Sequence, residues 1–144
     1  LICETGGRLI ALPLAGVAEI MRPLPIELFP GTPGFIPGVA TVRGTVVPVV
    51  DVGLLLGLGE SQPTRFVTLT LDGRLVALAV DAVIGIQTLD PGTLHDLPPL
   101  LQSAGHDTLS AVGTLDAGLL LALDDAHLVP DSVWELLSEQ VTAS

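Results

Sequence analysis

The sequence predicts an all-β chain folded as two small barrels, and three observations carry that prediction. The core must be aliphatic, because 49% of the residues are hydrophobic and only 3% aromatic. Sixteen Gly and twelve Pro interrupt the apolar runs, which is the pattern of many short strands joined by turns. The chain also repeats itself. Residues 7–20 (GRLIALPLAGVAEI) and 73–86 (GRLVALAVDAVIGI) agree at seven of fourteen positions: Gly7/Gly73, Arg8/Arg74, Leu9/Leu75, Ala11/Ala77, Leu12/Leu78, Val17/Val83 and Ile20/Ile86. A second pairing sets 38–51 over 111–124. It shares only Val39/Val112, Thr41/Thr114 and Asp51/Asp124, but it keeps the order of turn, apolar run and terminal Asp. The segment between the two pairings is seven residues longer in the second copy.

The repeat divides one domain, 1–144, into halves of about 1–60 and 64–129, followed by a helix over 130–140. Each half opens with a hairpin. LICET runs into Gly6-Gly7 and RFVTLTL into Asp72-Gly73, and such dipeptides suit two-residue turns with positive φ at both centres. Pro-rich connectors follow, 22–37 in the first half and from 90 onward in the second. The next hairpin contains VATVRGTVVPVVD, with one Arg inside an apolar run. Arg43-Gly44 aligns with Asp116-Ala117, so Arg43 is read at a two-residue turn where its guanidinium reaches solvent. Pro48 cannot donate to a ladder, so its strand is expected at an edge or bulged. Asp51 and Asp125 are expected to cap short helical turns, VGLLLGL and AHLV. In PDSVWELLSEQ, Ser132 and Glu135 form a capping box, and Val133, Leu136 and Leu137 share the inner face. Each half has only four or five short strands, so a flat sheet would leave edges and an apolar face open. Curling each half into a barrel and packing the two together removes both problems.

Composition excludes several functions. A net charge of −11 and a pI near 4.2 oppose binding to nucleic acid and to anionic membranes. No stretch is long enough, and free enough of charge and proline, to insert into a bilayer. Cys3 is the single cysteine, which rules out an intrachain disulfide and suits a reducing cytosol. Leu1 lies inside an apparent strand without an initiating Met, so the true N-terminus is expected upstream. His95, His106 and His127 match no zinc spacing, and no phosphate loop or nucleophile elbow occurs. Asp51, Asp81 and Asp124 lack the Asp-Thr/Ser-Gly turns of a carboxylate dyad. No catalytic, metal or cofactor site is therefore assigned, and the chain is read as a non-enzyme. Two readings of the abundant aliphatics stay open: one well-packed core, or an apolar protein interface kept soluble by the acidic surface.

Positions where the copies differ mark what one half does alone. Glu19 faces Gly85 across the alignment, and Arg43 faces Asp116. Either Glu19 and Arg43 pair and frame a binding patch, or they are unrelated surface charges. An exposed pair contributes only about 0–1 kcal/mol, so holding a recognition arginine is the better reason for one.

The stretch GVAEIMRPLPIELFPGTPGFIPGVATVRGTVVPVVDV resembles the CheW-like domain of bacterial chemotaxis arrays, as do TRFVTLTLDGRLVALAVDAVIGI and AVGTLDAGLLLALDDAHLV. The likeness runs from about Leu1 to Val129. It departs at Thr41-Val42, where Asn-Leu is common in the family, and in IGIQTL, which lacks a usual acidic residue. The resemblance implies two intertwined five-stranded SH3-like barrels around a shared core. It implies a cytoplasmic, non-catalytic adaptor, recruited to membrane receptor arrays, that couples a chemoreceptor's cytoplasmic tip to a histidine kinase and binds the kinase's own CheW-like regulatory domain. It carries a receptor-facing groove onto Glu19 and Arg43, with Val17, Ile20, Val42 and Gly44 around them and a helical partner in a groove between barrels. Two rivals are an excised regulatory domain of a larger kinase or receiver fusion, and a small-molecule sensor using the inter-barrel groove.

Overall fold

The computed structural model describes residues 1–58, 62–87, 94–96, 109–115, 118–123 and 128–143. Its strands are β1 (Ile2–Thr5), β2 (Arg8–Ala11), β3 (Val17–Met21), β4 (Glu27–Leu28), β5 (Gly38–Val42), β6 (Thr45–Asp51), β7 (Arg65–Leu71), β8 (Arg74–Val80), β9 (Ala82–Gly85), β10 (Leu94–Asp96), β11 (Leu109–Leu115) and β12 (Gly118–Leu123). A short helix α1 (Val52–Leu55) and a longer one, α2 (Asp131–Ala143), complete the described elements. No helix among these residues is long and apolar enough to cross a membrane.

The strands form two sheets, ordered β3-β7-β8-β6-β5-β4 and β9-β1-β2-β12-β11-β10. Under the sequence repeat these are the same order. The registers match as well: Val49 faces Ala77 as Ala122 faces Ala11, and Val17 faces Leu69 as Val83 faces Cys3. Each sheet takes four strands from one half and the opening hairpin of the other. The join is a parallel ladder, β6 with β8 and β12 with β2. Neither half therefore curls up by itself, because its own sheet needs the other half's hairpin.

This exchange explains why the strands read as nearly unbroken apolar runs: most are buried on both faces. Val67, Leu69, Val76, Leu78 and Val80 turn to a large core between the sheets, joined by Cys3 of β1, Ile10 of β2 and Leu12 just after it. The alternate residues face the inside of each sheet's own curl. There the side chains are smaller: Ala40, Val42, Val47, Val49, Ala77 and Ala79 around Phe66, and in the other sheet Ile2, Ala11, Leu120 and Ala122. A narrow interior accepts small residues, so the buried alanines fall on the inner faces and none enters the shared core.

All three described two-residue turns have positive φ at both centres: Gly6 (56°) and Gly7 (75°), Arg43 (50°) and Gly44 (82°), Asp72 (50°) and Gly73 (77°). These are type I′ hairpins, whose twist matches the strands they join. Asp51 accepts from the Leu54 N–H at 3.1 Å and caps α1. Asp125, and the turn Asp116-Ala117, lie outside the described residues.

Two expectations are corrected. Pro48 is on β6, an interior strand with β8 on one side and β5 on the other. The turn closes on Val42 and Thr45, so alternate pairs along β5–β6 exchange hydrogen bonds, and the pair Val39/Pro48 is one that does not. The ladder with β8 begins only at Val49, so the missing N–H is not demanded on either side. In α2 the carbonyl of Pro130 accepts from Val133 at 3.0 Å and Trp134 at 3.4 Å. The helix thus begins at Asp131, and Ser132 lies within its first turn, not at the cap. Val133 and Leu137 do enter the shared core, and Leu136 packs on Gly31.

Candidate partner-binding site

Arg43 and Glu19 meet. The Arg43 Nη2 donates to Glu19 Oε2 at 2.6 Å, with the arginine side chain 78% exposed and the glutamate 33%. Glu19 is on β3, at one end of its sheet, and Arg43 is on the turn joining β5 and β6. Three ladders separate β3 from β6, about 14 Å in a flat sheet at ~4.8 Å per strand. The pair can form only because the sheet curls.

The same curl shapes a hollow of ≈ 380 Å³ lined by Ala18, Glu19, Val42, Arg43, Thr45, Thr68 and Leu75. The strands β3, β5, β6, β7 and β8 each supply wall, so the hollow is the mouth of a barrel-like sheet of five longer strands. Every lining residue belongs to that one sheet. The hollow lies at the end of that sheet, not in the groove between barrels that the resemblance implies.

Of the six residues singled out from sequence, Glu19, Val42 and Arg43 line this hollow. Val42 is buried as its floor. Gly44 stands beside them in the exposed turn. Val17 turns away and packs against the core between the sheets. Ile20 is 45% exposed, but as Glu19's neighbour along β3 it points to the other face. Ala18, Thr45, Thr68 and Leu75 also line the hollow; nothing local marks Ala18, Thr45 or Leu75 in the sequence. Thr68 had one visible signal, a polar residue inside the apolar strand RFVTLTL.

The geometry at β3 is irregular. Val17 pairs with Leu69 but Glu19 with Thr68, so Ala18 is the extra residue of a β-bulge. Arg43 itself holds φ at 50°, a left-handed conformation that a side chain with a Cβ adopts at a cost. An exposed guanidinium is thus held in place by an acid across the mouth and by a strained turn beneath it. This arrangement can present a planar cation to a partner's carboxylate or carbonyl groups above an apolar floor.

These features define a class: a duplicated, interleaved two-sheet scaffold that carries an exposed, ion-paired arginine at the rim of a small hollow. Comparison with known proteins narrows that class. The family model "CheW-like domain" matches residues 1–133. The chain is 25% identical over 132 residues to the chemotaxis protein CheW of Klebsiella aerogenes, covering 90% of this chain and 80% of that one. It is 32% identical over 100 residues to the chemotaxis protein CheW of Rhizobium meliloti, covering 67% and 64%. The crystal structure of the scaffolding protein TtCheW from Thermoanaerobacter tengcongensis superposes with a TM-score of 0.76 at 23% identity, covering 88% of each chain. The chain belongs to the CheW-like domain family. With that family it is a non-catalytic scaffold of chemotaxis-type signalling, coupling chemoreceptors to a histidine kinase.

Proposed function

We propose that the barrel mouth at Glu19 and Arg43 is where this adaptor receives the chemoreceptor. Arg43 is the contact residue, Glu19 orients it, and Val42 with Leu75 forms the apolar floor. The observation that carries this reading is the exposed guanidinium, bonded at 2.6 Å to a glutamate from a distant strand. The second half has Gly85 in the place of Glu19 and Asp116 in the place of Arg43, so the feature belongs to one half alone. A receptor tip presents helices, and a helix laid across the mouth would set one side chain over the hollow and its polar flank against Arg43. The kinase's CheW-like regulatory domain binds elsewhere, which lets one chain hold both partners. The work is done in the cytoplasm, at receptor arrays on the membrane. We further propose that the halves 1–60 and 64–129 form one domain by exchange of hairpins, with the C-terminal helix closing its core.

The test is a binding measurement with two probes, a receptor-tip fragment and the kinase regulatory domain. Arg43→Ala is expected to lose most but not all of its affinity for the receptor fragment, leaving a measurable remainder, and to keep the kinase domain, with an unchanged melting temperature within a few degrees. Equal loss of both partners, or loss of neither, overturns the assignment.

A further inference from the structure

The bulge at Ala18 creates a problem that the two halves solve differently. A bulge leaves a residue unpaired and a ladder locally broken, and the freed backbone groups need other partners. In the first half the partner is a side chain. The Thr68 hydroxyl, on a residue only 1% exposed, donates to the Glu19 carbonyl at 3.2 Å. In the second half the same bulge falls between Cys3/Val83 and Ile2/Gly85. There the counterpart of Thr68 is Ile2, which has no hydroxyl, and the counterpart of Glu19 is Gly85, with φ 152°. One half clamps its bulge with a hydrogen bond; the other relaxes it with glycine.

We propose that Thr68 is a positioning residue for the partner-binding arginine. Its buried hydroxyl fixes the Glu19 backbone at the bulge, that fixes where the Glu19 carboxylate stands, and the carboxylate holds the Arg43 guanidinium. The chain of contacts is continuous: Thr68 Oγ1 to Glu19 O at 3.2 Å, then Glu19 Oε2 to Arg43 Nη2 at 2.6 Å. Thr68 also lines the same hollow as both. The strand needs an apolar or small residue at this place, since its neighbours on the inner face are Phe66, Ala77 and Ala79. A threonine there supplies packing volume that valine would match, so packing alone leaves its hydroxyl unexplained. The inference rests on the reading of Arg43 as the receptor contact, but its first readout does not.

The test compares Thr68→Val, which keeps the shape, with Thr68→Ser, which keeps the hydroxyl. The first readout is the Arg43 Nη–H resonance in the free protein, since Nη2 is the donor to Glu19. It is expected to be sharp and protected from exchange in the wild type and in Thr68→Ser, and broadened in Thr68→Val. The second is affinity for the receptor-tip fragment. Thr68→Val is expected to weaken it roughly three- to tenfold, the span of one neutral hydrogen bond. Thr68→Ser should stay within about twofold, and kinase-domain affinity should not move. In an Arg43→Ala background Thr68→Val should add no further loss, because the residue acts through the arginine. If valine lowers the melting temperature sharply, Thr68→Cys gives the same reading with only a weak donor. An unchanged Arg43 resonance in Thr68→Val overturns the positioning role, whatever the receptor does. A loss of affinity that persists undiminished in the Arg43→Ala background overturns it too. A broadened resonance with unaltered receptor affinity upholds the positioning of Arg43 and refutes the receptor assignment instead.

Discussion

Replacing Arg43 by Ala, Gly and Asn separates what its backbone costs from what its side chain does. All three variants lose the guanidinium, so the ion pair with Glu19 drops out of any comparison among them. What remains is the turn. Arg43 sits at φ 50° and Gly44 at φ 82°, and a residue with a Cβ in the left-handed region costs about 1–2 kcal/mol. Alanine keeps that cost. Asparagine is a preferred first residue of such a turn and escapes most of it. Glycine escapes it as well, but returns about 0.4–1 kcal/mol through the greater freedom of its unfolded chain. The expected order of stability is Asn, then Gly, then Ala, with about 1 kcal/mol between first and last, or roughly 2–5 °C in melting temperature at this size. Affinity for a receptor-tip fragment should fall alike in all three. Thermal melts and binding titrations on the same preparations check both orders. If Ala is as stable as Asn, the turn is not left-handed in solution. If Asn retains receptor binding, the guanidinium is not the contact.

Other outcomes follow from the packing. A Cβ on Gly38 would lie 2.0 Å from the Glu27 carbonyl oxygen, so Gly38→Ala must push β4 off β5; we expect a loss of about 2–3 kcal/mol by denaturant titration. Gly34→Ala, where a Cβ meets nothing within 4 Å, is the matched control and should be neutral or slightly stabilising. Cys3 is fully buried, and burial pushes its thiol from 9.0 up to about 11, slightly offset by the nearby N-terminal charge. The folded protein should therefore resist a thiol reagent at pH 8 and react at once in denaturant. Because the unfolded thiol ionises first, stability should decline as pH rises from about 9 towards 11, and Cys3→Ala should abolish that slope. Leu137 is buried against the shared core, so Leu137→Ala is expected to cost about 2–4 kcal/mol; a cost under ~0.5 kcal/mol, the level of a neutral surface change, would mean α2 does not close the core.

Much of the site was legible because it depends on local chemistry and on comparison of the halves. The dipeptides Gly6-Gly7, Arg43-Gly44 and Asp72-Gly73 announce two-residue turns, and all have positive φ. The contrasts Glu19/Gly85 and Arg43/Asp116 singled out two charges that the structure joins. Val17 was misplaced for a physical reason. Strict alternation puts it on the Glu19 side of β3, but the bulge at Ala18 shifts the register and sends it to the core. Thr45 and Leu75 are unmarked, and Thr68 shows only its polarity within an apolar strand, because each comes from a different strand and only the curl brings them to one mouth. Pro48 reads as an edge or a bulge and is neither, because a missing donor says nothing about which side of a strand demands one.

The sequence by itself determined the class of fold, the repeat, the turns and the charges peculiar to the first half. These follow from short-range rules: periodicity, φ preferences and residue-by-residue comparison over fixed offsets. Only the tertiary structure decided how the halves share strands and which residues meet. The exchange of hairpins is set by parallel ladders between segments far apart in the chain, β6 with β8 and β12 with β2, and no local preference encodes a parallel partner. The meeting of Glu19 with Arg43, and of Thr68 with the Glu19 carbonyl, comes from a curled sheet and a one-residue bulge. Both are consequences of packing two faces at once.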